Sequence, residues 1–196
     1  MAFPRVLLIG DSIAQGYAPA VAEALEGVAH VEMIGESGGD SANVAARLGV
    51  WLGETEWDVV HVNCGLDDMR YDLEMGLHQV PVERFEENVY TIVMRLQSET
   101  RARLVWATIT PIVEERHNEP GRDFRRFARD VELYNAAALR VVREAGVEVD
   151  DLHALLVERG VEASISEDGV HLTAEAYRAV GREVAAFIEP IVRAAR

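Results

Sequence analysis

Two polar segments at opposite ends of the sequence carry residue types that could perform nucleophilic chemistry. Ser12 stands in RVLLIGDSIAQGY, where the first apolar run of the chain ends. Asp168 and His171 stand in SEDGVHLTAEAY, near the C-terminal end. A serine hydroxyl is a poor nucleophile unless a base takes its proton, and an acid that orients the base completes the arrangement. The three residues therefore suit acyl transfer, provided that the fold brings them together.

Each segment also has a simpler structural interpretation. Asp11 or Ser12 could cap a helix that follows the apolar run. Asp168 could begin a surface turn before a helix that Thr173 caps. The short spacing from Asp168 to His171 would also let the carboxylate accept a hydrogen bond from one ring nitrogen, which leaves the other nitrogen free to face Ser12. At this level both interpretations stay open.

The composition argues against several other functions. The segment GDSIAQG matches neither G-x-G-x-x-G nor G-x-x-x-x-G-K-[ST], and all 19 basic residues are arginine, so the lysine of an ATP-binding loop is absent. The 34 acidic residues give a formal net charge of −15, which repels phosphate backbones and anionic lipid headgroups. We therefore expect no nucleic-acid or membrane partner. Without an H-E-x-x-H pattern or a Cys/His cluster, we also expect no metal and no organic cofactor.

Length, cysteine usage and the N-terminal residues predict a single cytoplasmic domain. A chain of 196 residues with 49% hydrophobic residues is enough for one substantial core, so we assign residues 1–196 to one domain. Cys64 is the single cysteine and cannot form an internal disulfide. The segment MAFPRVLLIG has neither a basic leader with a cleavage site nor an apolar stretch of membrane-spanning length.

Short apolar runs alternate with helical patterns along the chain, which is typical of an α/β fold. The predicted strands are Val6–Gly10, His30–Ile34, Val59–Asn63, Leu104–Thr108 and Val147–Asp150. The predicted helices are Pro19–Leu25, Ala42–Leu52, Val82–Gln97, Ala128–Ala145 and Ala174–Ala194. Parallel neighbouring strands need crossover connections, and the helices between these strands can supply them. We therefore expect a three-layer, flavodoxin-like fold with a sheet of five parallel strands in the order 2-1-3-4-5.

Two long loops follow the third and fourth strands, at residues 64–81 and 109–127. Both should lie at the carboxyl edge of the sheet, where open α/β folds bind ligands and where Ser12 should also lie. These loops and the first turn carry candidate substrate contacts with polar or cationic side chains. The candidates are Asp11, Arg70, Tyr71, Arg116, His117 and Arg122.

Four short blocks in this chain resemble those of the SGNH (GDSL-type) hydrolase family. They are GDSI near the N-terminus, GGDS after the second strand, GLDD after the third, and DGVH near the C-terminus. The resemblance spans nearly the whole chain, and the family's flavodoxin-like fold agrees with the strand count. It implies that Ser12 is the nucleophile, that the N–H groups of Ser12 and Gly39 bind the oxyanion, and that Asp168 and His171 are the acid and base.

The third block departs from the family pattern. That pattern is G-x-N-D, in which the asparagine side chain donates to the oxyanion, whereas this chain has Asp67 at the same place. An ionised carboxylate has no proton to donate and repels the developing negative charge. Asn63, at the end of the third strand, could supply a replacement amide or could instead bind loop carbonyl groups.

The resemblance implies a serine esterase that works through an acyl-enzyme. The cationic loops favour a small acyl group, acetyl above all, on a carbohydrate-like or other polar alcohol. Alternatives on the same three residues are a lysophospholipase, a thioesterase and an acyltransferase. If Asp67 has disabled the oxyanion site, the chain would instead be a binding protein with weakened catalysis.

Overall fold

The structure, a computed structural model, describes residues 3–194. Its strands are β1 (Arg5–Gly10), β2 (His30–Met33), β3 (Val59–Asn63), β4 (Tyr71–Asp72), β5 (Leu77–His78), β6 (Arg103–Ala107), β7 (Phe124–Arg125) and β8 (Glu148–Asp150). Its helices are α1 (Ser12–Ala24), α2 (Ser41–Leu52), α3 (Val82–Glu99), α4 (Glu114–His117), α5 (Ala128–Glu144), α6 (Leu152–Arg159), α7 (Val161–Ser164) and α8 (Ala174–Ala194). The single-domain prediction covered residues 1–196, of which Met1, Ala2, Ala195 and Arg196 lie outside the described part.

The main sheet is parallel, with the strand order β2-β1-β3-β6-β8. This confirms the predicted α/β class and the predicted order 2-1-3-4-5. All five residues of β3 and the last five of β1 are buried, as expected for central strands covered on both faces. Gly10 pairs with Asn63, and Asn63 pairs with Ala107, so the carboxyl ends of three strands are aligned. The segments that follow these strands therefore emerge at one edge.

Helices cover both faces of this sheet. α1 packs against α8, while α2, α3 and α5 pack in sequence against one another. Two glycines let α1 and α8 approach closely: a Cβ on Gly16 would lie 2.2 Å from the Tyr177 ring, and one on Gly181 would lie 2.7 Å from the Tyr17 carbonyl oxygen. This packing fixes the start of α1, which carries Ser12, relative to the start of α8, which follows His171.

A second, three-stranded sheet of order β5-β4-β7 joins the two long loops. Tyr71 pairs with His78 on one side and with Arg125 on the other, both antiparallel. The sequence analysis treated these segments as loops, because a two-residue strand is too short to show an alternating pattern. The consequence is that loops 64–81 and 109–127 form one connected layer above the carboxyl edge of the main sheet.

Helix α1 begins at Ser12, seven residues before the predicted start at Pro19. Proline favours the first turn of a helix, which is the position that the predicted start gives Pro19. Instead, Asp11 caps the helix, and the exposed Pro19 lies inside it. The other predicted helices, and the predicted strands of the main sheet, begin and end within two residues of the observed bounds. Among residues 3–194, no helix is long and apolar enough to cross a membrane.

Candidate active site

Ser12 is the first residue of α1, directly beyond the carboxyl end of β1. Asp11 accepts a hydrogen bond from the Ile13 N–H at 2.8 Å and therefore serves as the helix cap. Because Asp11 caps the helix, the Ser12 hydroxyl is left for another partner. The Ser12 Oγ lies 2.9 Å from Nε2 of His171, across 159 residues of sequence.

His171 is held by Asp168 on its other ring nitrogen. The Nδ1 of His171 lies 2.6 Å from Asp168 Oδ2. The second oxygen, Oδ1, accepts from the Ser166 hydroxyl and from the N–H groups of Val170 and His171 at 2.8–2.9 Å. Burial raises the pKa of Asp168, but these hydrogen bonds and the one from the His171 ring outweigh it and hold the pKa well below its usual range. Asp168 is therefore an ionised acceptor at neutral pH.

This arrangement sets the tautomer of His171. The Nδ1–H of His171 donates a hydrogen bond to the ionised Asp168, so Nε2 of the neutral ring carries a lone pair. That lone pair faces the Ser12 hydroxyl at hydrogen-bond distance. The three side chains can therefore pass a proton from Ser12 to His171 while Asp168 stabilises the imidazolium that forms.

A glycine allows the turn between Asp168 and His171 to form. Gly169 has a φ of +79°, a conformation that residues with a side chain rarely adopt. A Cβ there would lie 2.4 Å from the backbone nitrogen of His117 and 2.5 Å from the carbonyl oxygen of Val113. The Val113 N–H donates to the Gly169 carbonyl at 2.8 Å. The turn that holds His171 is thus docked on α4 and the residue before it.

The second block, GGDS, lies beside the first. The Gly38 N–H donates to the Gly10 carbonyl at 2.7 Å. Gly39 has a φ of +62°, and its N–H makes a long hydrogen bond of 3.3 Å to Ser37 Oγ. Ser37 lines the same pocket as Ser12. The Gly39 N–H is therefore close to the pocket and only weakly engaged.

Asp68, the last residue of the third block, connects the second and third blocks. It is fully buried and accepts hydrogen bonds from both the N–H and the hydroxyl of Ser41, the first residue of α2. Asn88 on α3 donates in turn to Ser41 Oγ at 2.8 Å. Burial raises the pKa of Asp68 to about 7, and the bonds from Ser41 only partly offset the effect.

Asp67 has cationic partners. Its Oδ1 lies 2.6 Å from Nη2 of Arg70 and 2.9 Å from Nη2 of Arg126. The Arg70 side chain is 38% exposed, whereas the Arg126 side chain is only 5% exposed. Where the resemblance implies a neutral amide, this chain therefore has a carboxylate that contacts two guanidinium groups.

Asn63 has a structural role that makes it unsuitable as the substitute amide. Its Nδ2 donates to the carbonyl oxygens of Thr108 at 3.2 Å and of Ala107 at 3.5 Å. The side chain is buried and lies outside the set of residues that line the pocket. Asn63 ties the end of β3 to the end of β6, and we do not retain it as an oxyanion donor.

Ser12 and His171 open onto a pocket of about 240 Å³. Its lining includes three of the candidate substrate contacts, Arg70, His117 and Arg122. The other three lie outside the lining. Asp11 is buried as a helix cap, the Tyr71 ring packs edge-on against His78 and Phe127, and Arg116 donates to the Ile165 carbonyl and to Glu162. Burial raises the pKa of Asp11 to about 6.

Arg126 is the charged residue of the pocket lining that sequence reasoning missed. It stands in the run DFRRF together with Arg125, and nothing in the sequence distinguishes the two. Arg125 is exposed, whereas Arg126 is buried and lines the pocket. Its pairing with Asp67 is visible only once β7 places loop 109–127 beside the third block. Within residues 3–194, no group of three or more His, Cys, Asp or Glu side chains is arranged to hold a metal ion.

A parallel α/β sheet with a serine, a histidine and an aspartate in hydrogen-bonded series at its carboxyl edge is an arrangement found in serine hydrolases. Comparison with known proteins identifies the group. The model of the GDSL-like lipase/acylhydrolase family matches residues 8–179, and the chain belongs to that family. This confirms the resemblance that the four blocks indicated and makes the chain a carboxylic ester hydrolase.

Individual relatives agree with this assignment. The human isoamyl acetate-hydrolyzing esterase 1 homolog is 28% identical over an alignment that covers 87% of this chain and 75% of that protein. Its counterpart from Bos taurus is 29% identical, over 88% of this chain and 76% of that protein.

Solved structures share the fold. The lipase/acylhydrolase from Enterococcus faecalis superimposes with a TM-score of 0.80 at 19% identity, covering 96% of both chains. The acetyl xylan esterase AlAXEase has a TM-score of 0.76 at 18% identity, covering 94% of this chain and 99% of that one.

Proposed function

We propose that the chain hydrolyses an ester of a small acyl group, acetyl above all, on a polar alcohol, through an acyl-enzyme on Ser12. One observation carries the proposal: the hydrogen-bonded series from Ser12 Oγ to His171 Nε2 at 2.9 Å and from His171 Nδ1 to Asp168 Oδ2 at 2.6 Å, at the mouth of a pocket. The spacing suits general-base activation of a serine.

In the first half of the reaction, Ser12 Oγ attacks the ester carbonyl carbon as His171 Nε2 takes the hydroxyl proton. The carbonyl π electrons move onto the oxygen, which becomes the oxyanion of a tetrahedral intermediate. When the intermediate collapses, the bond from carbon to the alcohol oxygen breaks, and His171 donates its proton to the departing alkoxide. The alcohol leaves, and the acyl group stays on Ser12.

In the second half, water replaces the alcohol. His171 takes a proton from the water, whose oxygen bonds to the acyl carbon, and the bond from that carbon to Ser12 Oγ breaks. The proton on His171 returns to Ser12, which releases a carboxylic acid and regenerates the site. Asp168 remains ionised throughout and stabilises the imidazolium in both halves.

Two backbone N–H groups support the proposal as donors to the oxyanion. Ser12 is the first residue of α1, and an N–H in the first turn of a helix has no intrahelical acceptor. The Gly39 N–H is engaged only by the long bond to Ser37 Oγ, which a substrate oxygen can replace. Donors of this kind stabilise the charge that develops in the transition state.

The pocket supports a small acyl group and a polar alcohol. Its volume of about 240 Å³ suits a compact substituent rather than a long chain. The apolar part of the lining is limited to Leu66, Phe124 and Val170, while Arg70 and Arg122 offer hydrogen-bond donors. Two of the similar proteins carry acetate esters in their names, namely isoamyl acetate and acetyl xylan. This agrees with acetyl as the acyl group.

A panel of p-nitrophenyl esters from acetyl to octanoyl, with isoamyl acetate and acetylated xylo-oligosaccharides alongside, tests the proposal. We expect kcat/KM to be highest for acetyl or propionyl and to fall by about tenfold or more by octanoyl, because the pocket offers few apolar contacts for a chain to gain. The Ser12→Ala variant is the blank and should show no turnover of any ester.

Two results would contradict this substrate assignment. Faster turnover of octanoyl than of acetyl esters would favour a lipase or thioesterase. Predominant transfer of the acyl group to an added alcohol, measured by product analysis, would indicate an acyltransferase.

A further inference from the structure

The third block leaves the oxyanion site short of a side-chain donor. The family pattern places an asparagine amide there, and this chain has Asp67, whose carboxylate would repel an oxyanion. Asn63 is committed to the carbonyl groups of Ala107 and Thr108. Another group in the pocket must therefore offset the negative charge of Asp67.

Arg126 is bound on three sides by groups of the protein. Its Nε donates to the Leu66 carbonyl at 2.8 Å, its Nη2 to Asp67 Oδ1 at 2.9 Å, and its Nη1 to His117 Nε2 at 3.3 Å. A guanidinium has five N–H bonds, so these contacts leave one hydrogen on each Nη. The group is buried in the wall of the pocket that Ser12 and His171 share.

His117 and Phe124 fix the guanidinium further. Burial and the neighbouring Arg126 lower the pKa of His117 to about 4, so at neutral pH the ring is uncharged and its Nε2 can accept from Arg126. The Arg126 guanidinium also lies 5.0 Å from the centre of the Phe124 ring. Burial lowers the pKa of Arg126 to about 10, which still leaves it protonated. The result is a positive group that is oriented before substrate binds.

Arg126 suits this role better than Arg70, although both bind the same oxygen of Asp67. The Arg70 side chain is 38% exposed, so water screens its charge and competes for its hydrogens. The Arg126 side chain is 5% exposed. A preorganised donor that is shielded from water stabilises developing charge far more effectively.

We propose that Arg126 is the third oxyanion donor of this enzyme and that Asp67 positions it. As the bond from Ser12 Oγ to the acyl carbon forms and the carbonyl π electrons move onto the oxygen, a free Nη hydrogen of Arg126 donates to that oxygen. Arg126 keeps its proton throughout, and His171 receives the proton of Ser12. This inference rests on the proposed ester hydrolysis and adds a catalytic residue to it.

The first test is Arg126→Gln, assayed on acetyl esters with concentrations normalised by active-site titration. We expect kcat to fall by about 10²–10³, the usual effect of losing one oxyanion donor, with KM changed by less than about threefold. Arg140→Gln is the matched control, because Arg140 is an exposed arginine that pairs with Glu86 on the surface. It should retain wild-type kcat.

The second test restores the family's amide. Asp67→Asn combined with Arg126→Gln puts a neutral donor at the third-block position, whereas Asp67→Ala combined with Arg126→Gln has none. We expect the Asn-containing double variant to exceed the Ala-containing one in kcat by about tenfold or more. Neither double variant leaves the Asp67 carboxylate in the pocket wall without Arg126, so both remain informative if Arg126→Gln alone fails to fold.

The possible outcomes distinguish a failure of this inference from a failure of the proposed ester hydrolysis. A wild-type kcat in Arg126→Gln, or equal kcat values in the two double variants, would overturn the role of Arg126. A loss confined to KM and to esters with an anionic group would show that Arg126 binds substrate charge instead, and would equally overturn it. A wild-type enzyme that hydrolyses no ester would refute the proposed function itself.

Discussion

Two neighbouring residues at the start of α1 divide two tasks between them. Asp11 caps the helix through the Ile13 N–H, and Ser12 faces His171. The sequence offered capping and nucleophilic attack as alternatives for this pair. Both roles fit the structure, because a helix needs only one side-chain cap and the next residue starts its first turn.

A similar division holds in the third block. Asp67 faces two of the arginines that line the pocket, while Asp68 accepts hydrogen bonds from the buried Ser41.

The buried carboxyl of Asp68 has a consequence for stability that can be measured. Its pKa of about 7 lies above the ordinary aspartate value of 3.8, which we take for the unfolded chain.

We predict that Asp68 makes the free energy of unfolding fall as pH rises from about 4 to 7. In this window the folded chain holds a proton on Asp68 that the unfolded chain has lost, so raising the pH favours unfolding by up to about 1.4 kcal/mol per pH unit. Asp11, with a pKa raised to about 6, adds to the slope with the same sign. The low pKa of Asp168 acts in the opposite direction, but below this window.

Urea unfolding at pH 5, 6, 7 and 8 measures the slope. In Asp68→Asn the slope between pH 5 and 7 should become shallower, because the amide does not titrate. Asp123→Asn, at an exposed carboxyl in loop 109–127, is the control and should leave the slope unchanged. An unchanged slope in Asp68→Asn would show that the carboxyl is ionised in the folded protein throughout this range.

Arg126 shows the limit of sequence reasoning at the scale of the residue. The four blocks identified Ser12, Gly39, Asp168 and His171 as candidates because each lies in a short motif. Arg126 lies outside every block and reaches Asp67 across 59 residues of sequence. Such a pairing depends on how two long loops fold over each other, which residue types and spacing do not encode locally.

At the scale of the element, the turn before α8 depends on one glycine. Gly169 combines a φ of +79° with backbone atoms of α4 and of Val113, the residue before it, at 2.4–2.5 Å from the place of a Cβ. Gly160, between α6 and α7, also has a positive φ, of +93°, but nothing within 4 Å of its Cβ position. Substitutions at these two glycines therefore distinguish the cost of backbone strain alone from the cost of strain together with a steric clash.

We predict that Gly169→Ala lowers both stability and activity, whereas Gly160→Ala has only a modest effect on stability. Each substitution forces an alanine to a positive φ, at a cost of about 1–3 kcal/mol. Only Gly169→Ala also pushes the His171 turn away from α4, so its kcat should drop by about tenfold or more, since small misplacements of catalytic groups are costly. Urea unfolding and acetyl-ester kinetics measure the two effects. Equal losses in the two variants would contradict the docking of this turn on α4.

The elements themselves differ in how far the sequence predicts them. β3 and α8 were predicted with the bounds that the structure shows, because a continuous apolar run and a long amphipathic pattern are strong local signals. β4, β5 and β7 were missed, since each has only two residues, and β7 pairs with β4 from the other long loop. These short strands are the elements that bring Arg126 to the pocket.

At the scale of the molecule, the alternation of strands and helices predicts the parallel five-stranded sheet, and the expected strand order 2-1-3-4-5 is the one that the structure shows. Right-handed crossovers allow few topologies, and a serine after the first strand and two long loops after the third and fourth place the candidate site at the carboxyl edge. The cationic character of the pocket was predicted in part, because Arg70 and Arg122 were candidate substrate contacts and line it, whereas Arg126 was not a candidate. The chain carries a net charge of −15, yet three arginines line the pocket.

The most direct test of the account is covalent labelling of the wild-type protein with a fluorophosphonate, followed by mass spectrometry of its peptides. The account predicts one adduct per chain, on the peptide that contains Ser12, with loss of ester hydrolysis in proportion to labelling. The adduct should be absent in Ser12→Ala and form far more slowly in His171→Ala, because the base that activates Ser12 is gone. A hydrolytically active protein that stays unlabelled at Ser12, or ester hydrolysis that persists in Ser12→Ala, would contradict it.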